Sequence, residues 1–106
     1  MSKTYVIEED VRVWVRKHRE ELFNDILDAC EEGLSDIDDR VMVAVLQTMS
    51  GVTIMSLHNP KEIINSLEKC ERDFVRREDY ERAARARDCS LAWKNRGVIY
   101  KEKGKQ

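Results

Sequence analysis

Proline, glycine and aromatic side chains are scarce in this sequence of 106 residues, which holds one Pro, four Gly, two Trp, three Tyr and two Phe. Together with 42% hydrophobic and 38% charged residues, this is typical of a folded, mostly helical protein and excludes intrinsic disorder. Long apolar runs are also missing, since the longest, Val41 to Leu46, is far shorter than the ~20 residues of a membrane span. The N-terminal stretch MSKTYVIEED lacks the pattern of a signal peptide. We therefore expect a single cytoplasmic domain over residues 1–106, without membrane contact.

Motifs for catalysis and cofactor binding are absent from the sequence as well. It has no Gly-x-Ser-x-Gly, P-loop, His-Glu-x-x-His or phosphate-binding glycine run. Cys30, Cys70 and Cys89 form no Cys-x-x-Cys pair, so we expect small buried side chains in a reducing compartment. His18 and His58 add no zinc-ligand spacing on one helix turn. The prediction is a protein that is not an enzyme, with no catalytic residue, metal or cofactor.

The net charge of −2 hides an asymmetry between the two parts of the chain. Residues 1–60 hold 6 Lys and Arg against 12 Asp and Glu, whereas residues 61–106 hold 13 against 9. The basic part could contact phosphate groups, although its excess of +4 is small for a nucleic-acid-binding protein. A solvated surface is the simpler interpretation.

Apolar residues at steps of three and four predict a first helix over residues 8–32, which Gly33 is placed to end. The following segment, residues 36–57, is apolar on nearly all sides after Arg40, which indicates a buried helix with a possible break at Gly51. The residues that keep a helical period here are Ile37, Val41, Val45, Thr48, Val52 and Met55. The many β-branched residues leave open a pair of strands with a turn at Ser50-Gly51.

Local start signals predict two further helices. Asn59 can cap a helix that begins at Pro60, with Glu62 reaching back to the cap, and this helix should span residues 60–77. Asp79 can cap the next helix, over residues 79–95, and residues 98–106 form a tail whose Val98, Ile99 and Tyr100 could dock on the fold. The predicted fold class is all-α, a small antiparallel bundle of three to four helices that ends in a helical hairpin.

The last two predicted helices carry a known pattern. Leu-Glu-Lys stands at residues 67–69, Asp-Tyr-Glu at 79–81, Ala-Ala at 83–84 and Arg-Asp at 87–88. With this order, residues 64–94 resemble the UVR motif, the helical hairpin of the excision-repair subunits UvrB and UvrC and of adaptors of Clp-type proteases. Glu71, Phe74 and Ser90 depart from the pattern, because the family has apolar, small and Ile residues there. The resemblance implies a hairpin that pairs with another protein hairpin.

Two binding functions follow as hypotheses. The first is a small interaction protein that binds a protein partner, or itself as a homodimer, through residues of the hairpin: Tyr80, Glu81, Ala84, Arg87 and Asp88. The alternative is a nucleic-acid-binding accessory protein that uses four arginines around the hairpin bend: Arg76, Arg77, Arg82 and Arg85. Within the hairpin we expect Glu81 to pair with Arg85, and Arg87 to pair with Glu71 or Asp73.

Overall fold

The structure is a computed structural model that describes residues 3–36 and 38–104, the last eight of these as backbone alone. Its elements in chain order are β1 (Lys3–Val6), α1 (Val11–Lys17), α2 (Arg19–Gly33), β2 (Val41–Thr48), β3 (Gly51–Leu57), α3 (Pro60–Arg76) and α4 (Tyr80–Gly104). The strands form one sheet in the order β1-β2-β3, with β1 parallel to β2 and β2 antiparallel to β3. The predicted all-α bundle ending in a helical hairpin is therefore wrong, because the chain has a mixed α/β fold.

Residues 36–57 account for most of this correction. They contain two strands rather than an apolar helix, joined by a tight turn at Met49 and Ser50. Gly51 follows the turn with φ of 141°, a conformation that L side chains rarely adopt. The β-branched residues that left a strand pair open in the sequence are those that form it. Ile37, which belonged to the predicted helical period, lies outside the described residues.

The predicted helix over residues 8–32 is divided in the structure. α1 ends and α2 begins at His18, whose backbone φ of −108° and ψ of 19° is not helical. The ring Nδ1 of His18 lies 2.9 Å from the Trp14 carbonyl oxygen, and the imidazole stacks on the Trp14 ring with 4.3 Å between centroids. A half-buried imidazole held by α1 therefore marks the break between the two helices.

The helix α2 lies at the centre of three layers. On one side, Leu22 packs with α1 and the inner face of the sheet, in a cluster that includes Ile7, Trp14 and Leu46. On the other side, Leu27 and Cys30 pack with α3, α4 and the start of β2, in a larger cluster of buried residues: Val41, Ile63, Leu67, Cys70, Phe74, Ala83, Ala86, Cys89 and Trp93. The outward faces of the sheet and of the α3–α4 layer are thus the two broad surfaces of the molecule.

The close approach of these layers explains Gly33, the last residue of α2. A Cβ atom at this position would lie 2.9 Å from Cγ2 of Val41 and 3.2 Å from Cζ2 of Trp93. Gly33 therefore ends α2 as predicted, and its lack of a side chain serves the packing between α2, β2 and α4.

The helices α3 and α4 begin at their predicted caps but differ in their ends. The Asn59 side chain accepts a 2.9 Å hydrogen bond from the Glu62 amide, and Glu62 accepts a 2.8 Å bond from the His58 amide. α4 does not end at residue 95, because it continues through Gly97 to Gly104, so that the predicted tail over 98–106 is helical to residue 104. The side chains of Val98, Ile99 and Tyr100 lie outside the described part, so their docking is untested.

Candidate protein-binding site

The turn between α3 and α4 fixes how the two helices meet. The Asp79 amide donates a 2.8 Å bond to the Phe74 carbonyl, and the Glu78 amide donates a 3.0 Å bond to the Val75 carbonyl. This pair of bonds is a Schellman motif, in which Glu78 takes the left-handed position with φ of 60°. The Asp79 carboxylate then accepts a 3.2 Å bond from the Arg82 amide and caps α4. α4 therefore reverses direction at once and runs back along α3.

The inward side of α4 is made of small residues and one large anchor. Ala83, Ala86 and Cys89 are buried against α3 and α2, so the helices approach closely. Trp93 is fully buried and donates a 3.0 Å hydrogen bond from Nε1 to the Cys30 carbonyl of α2. Arg96 extends this anchor, with its guanidinium 4.6 Å from the Trp93 ring and 3.0 Å from the Gly33 carbonyl. These contacts determine which side of α4 faces outward.

The outward side of α4 carries Tyr80, Ala84, Arg87 and Leu91, at steps of four, three and four residues, and we call it the α4 stripe. Tyr80 is 64% exposed and Leu91 50% exposed, Arg87 is exposed and Ala84 is half-buried. Ala83 and Trp93, on the other side of α4, are buried. The stripe presents an aromatic, a guanidinium and a leucine over three helical turns.

The five residues predicted to bind a protein all lie on or beside the α4 stripe. Tyr80, Ala84 and Arg87 belong to it, and the exposed side chains of Glu81 and Asp88 flank it. Leu91 is the member that sequence reasoning missed. Its position one turn after Arg87 was the available signal, but an isolated leucine in a helix is more often buried.

A groove of about 350 Å³ lies beside the second half of the α4 stripe, at Arg87 and Leu91. Ser90 lines it, and its buried hydroxyl has no hydrogen-bond partner within the described residues. Lys94 spans the two helices with Nζ 3.2 Å from Oε1 of Glu68. Arg72 makes no ion pair in the described part of the chain, and the only one of Arg87 there is at 3.5 Å, to its neighbour Asp88. The full lining is Glu68, Glu71, Arg72, Arg87, Ser90, Leu91 and Lys94.

Neither of the predicted partners of Arg87 is its nearest carboxylate. Glu71 lines the same groove but makes no ion pair with Arg87, and Asp73 is buried and bound by Arg76 and Arg77. The prediction of a Glu71 or Asp73 pair is therefore wrong. Arg72 and Arg87 are the guanidinium groups of this surface that retain most of their capacity to bind a carboxylate.

The four arginines proposed for nucleic acid each face a carboxylate. Arg76 and Arg77 bind Asp73, and Arg77 also lies 3.7 Å from Glu20. Arg82 lies 2.7 Å from Asp79, whose pKa is lowered by that hydrogen bond. Arg85 does not pair with Glu81 as predicted, because it reaches Asp28 at 3.2 Å and Glu31 on α2, and the bond to Glu31 raises the pKa of Arg85. This neutralisation removes support from the nucleic-acid hypothesis.

Other polar and thiol groups are engaged in the fold. Tyr5 donates to the buried carboxylate of Asp25, and the Lys3 ammonium lies 2.9 Å from the same carboxylate, so β1 is tied to α2. Burial, followed by the Asp25 contact, raises the pKa of Tyr5. The three cysteines are confirmed to be buried, and burial raises the pKa of Cys70 and Cys89 to about 12 and that of Cys30 further. Among the side chains that the structure describes, residues 3–36 and 38–96, no three of His, Cys, Asp or Glu are grouped to hold a metal.

Comparison of the chain with models of protein families, with curated proteins and with solved structures gives no match. The likeness of residues 64–94 to the UVR motif therefore stays a prediction. Among the described helices, none combines the length and the apolar character needed to cross a membrane.

Proposed function

We propose that this chain is a small interaction protein that binds a second protein through the α4 stripe and the groove beside it. The observation that carries the proposal is the composition of this surface. Tyr and Arg are the residue types that contribute most to protein interfaces, and here both stand on one helix side with Leu91. None of the three is needed to pack α4, because Ala83, Ala86 and Trp93 already do so.

The groove also indicates the chemistry of the partner. An exposed leucine and a tyrosine three turns away fit an amphipathic helix, whose apolar residues recur at the same steps. Arg72 and Arg87 are poorly paired, and they would bind carboxylates of that helix. We therefore expect an acidic, amphipathic helix of another protein, in line with the pairing that the UVR resemblance implies.

The experiment is site-specific photo-cross-linking in the native host. The photoreactive residue p-benzoyl-phenylalanine replaces Leu91 on the α4 stripe, and in a matched control it replaces Val13, an exposed apolar residue of α1. We expect one partner to be cross-linked from position 91 and not from position 13. The Ala84→Glu and Arg87→Glu changes, made in the protein with the cross-linker at position 91, should reduce its yield at least tenfold.

The control for charge is Arg12→Glu, because the Arg12 side chain on α1 is 90% exposed and its contact to Asp10 is as long as 4.0 Å. Circular dichroism of every variant should retain the wild-type spectrum. An unchanged cross-linking yield in both α4 variants, or the same partner captured from positions 13 and 91, would contradict the proposal.

A further inference from the structure

The outward face of the sheet differs in character from the rest of the molecular surface. The strand register places Thr4, Val45 and Ile54 side by side, then Val6, Gln47 and Val52, and then Met42 with Ser56. Directly paired residues share a face of a sheet, so these eight residues form one surface, which we call the outer sheet face. The opposite face carries Lys3, Tyr5, Ala44 and Leu46, which point to α1 and α2.

The outer sheet face is apolar and open. Val6 is 68% exposed, Val52 66%, Ile54 56% and Met42 47%, and Val45 lies half-buried among them. The exposed face of an antiparallel pair usually carries polar and charged residues, because it stays in water. Isolated exposed hydrophobic residues are common, but five on one sheet face indicate an interface.

The absence of charge on this face indicates which partner covers it. None of its eight residues is charged, in a chain of which 38% is charged. Two identical faces can meet about a two-fold axis only if like charges are not brought together, and an uncharged face satisfies this condition automatically. A partner of different sequence would gain orientation and specificity from charged or hydrogen-bonding residues, which this face does not offer apart from Thr4, Gln47 and Ser56.

The edge of the sheet beside this face is uncharged as well, so no charged side chain of β3 borders the outer sheet face. β3 is an edge strand, and its seven residues, Gly51 to Leu57, contain no charge and no proline. Edge strands of monomeric proteins are usually protected by such residues. Met49, in the turn that leads into β3, is 92% exposed and extends the apolar surface beyond the strands.

We propose that the outer sheet face is a homodimer interface, in which the sheets of two copies stack face to face. Strands of four, eight and seven residues cover about 300 Å² per copy in projection, from a rise of ~3.3 Å and a spacing of ~4.8 Å. This area is small compared with the interfaces of stable dimers, so we expect a weak dimer that dissociates on dilution. The α4 stripe belongs to the opposite layer, so each dimer presents two copies of it, and the proposal does not depend on what α4 binds.

The test is the self-association of the full chain, measured by sedimentation equilibrium from 10 µM to 1 mM. We expect a reversible dimer in the wild type. The double change Val52→Lys with Ile54→Lys should leave the protein monomeric up to 1 mM, because it brings like charges together. The matched control, Val13→Lys, adds the same side chain to an exposed apolar position of α1 and should leave the dimer unchanged.

Charge complementation separates loss of the interface from loss of folding. The protein with Lys at positions 52 and 54 is mixed with the protein that carries Val52→Glu and Ile54→Glu. We expect each alone to be monomeric and the equimolar mixture to form a heterodimer. A mixture that stays monomeric would overturn the proposal, as would a wild type that is monomeric at 1 mM or dimers that resist both double changes.

Amide hydrogen exchange identifies the geometry of the dimer. Stacked faces bury side chains without pairing the free edge of β3, so the amides of Gly51 to Leu57 should not become selectively protected on dimerisation. Strong protection confined to β3 would instead show edge-to-edge pairing and would overturn the stacked arrangement. Loss of the dimer in Ala84→Glu, with Val52→Lys and Ile54→Lys having no effect, would place self-association on α4 and also contradict the proposal.

Discussion

Replacing Glu78 by glycine should stabilise the protein, because Glu78 adopts a left-handed conformation at the end of α3. Its φ is 60°, and it is the single non-glycine residue with positive φ in the described part of the chain. The Glu78 side chain is exposed and makes no hydrogen bond or ion pair there, so its removal loses no visible contact. Any effect of the change therefore comes from the backbone.

The magnitude follows from two opposing effects. The left-handed conformation costs a residue with a Cβ atom about 1–2 kcal/mol, and glycine removes this cost. Glycine also gives the unfolded chain more freedom, which lowers the free energy of unfolding by about 0.4–1 kcal/mol. The expected gain is about 0.5–1 kcal/mol, or roughly 2–5 °C in melting temperature for a domain of this size.

Urea unfolding followed by circular dichroism measures this gain, with two matched variants. Glu78→Ala keeps the Cβ atom and should give no comparable gain. Arg72→Gly changes an exposed residue in the interior of α3 and should cost about 1 kcal/mol. A neutral or destabilising Glu78→Gly, at unchanged dependence on urea concentration, would refute the Schellman turn between α3 and α4.

Three further changes test other contacts. Gly33→Ala should lower the free energy of unfolding, measured in urea, by about 1 kcal/mol. Overpacking against Val41 and Trp93 costs about 1–3 kcal/mol, and the higher helix preference of alanine offsets about 1 kcal/mol of this cost. A stabilised variant would contradict the tight packing around Gly33. Ser90→Ala should raise the free energy of unfolding by about 1 kcal/mol, because the buried hydroxyl is unpaired. A loss of stability would reveal a hydrogen bond to Ser90. Burial raises the pKa values of the three thiols above the ordinary value of 9.0. The contribution of the thiols to the free energy of unfolding is therefore complete below about pH 9 and is lost as the pH rises towards 12. At pH 10 the free energy of unfolding is lower by about 1.4 kcal/mol for each of the three thiols. Urea unfolding from pH 7 to 10.5 measures this decrease, and Cys89→Ala should remove the contribution of one thiol from it.

The parts of the fold that could be predicted from the sequence are those decided within four residues. Asn59 and Asp79 cap α3 and α4 through bonds to amides three residues ahead, so that their effect needs no tertiary contact. The arginine contacts could not be predicted in this way. Arg85 binds Asp28 and Glu31 of α2, more than fifty residues away, and this arrangement exists only after α4 has packed on α2. The rule for pairs four residues apart on one helix predicted Glu81 as the partner of Arg85 instead.

The first strand was missed because its signal is short and its partner distant. β1 has four residues, and it pairs with Ala44 to Gln47, about forty positions later. Four residues are too few to show the alternation of apolar and polar residues in a strand, and a parallel strand has no hairpin turn that would indicate it in the sequence. The pairing with β2 and the contacts of Lys3 and Tyr5 to Asp25 hold β1 in place, and both form only in the folded protein.

The error over residues 36–57 has a different cause, which supports the proposed dimer. A strand is recognised when apolar residues that face the core alternate with polar residues that face water. In β2 and β3 this alternation fails because the water-facing positions are occupied by Met42, Val45, Val52 and Ile54. An apolar outer face therefore makes a strand look like a buried helix in the sequence and exposes a hydrophobic surface in the structure. If the outer sheet face is covered by a second copy, both observations have one explanation, since these strands are buried on two sides in the dimer. Local rules are expected to fail where a surface has a function, and here they failed at that surface.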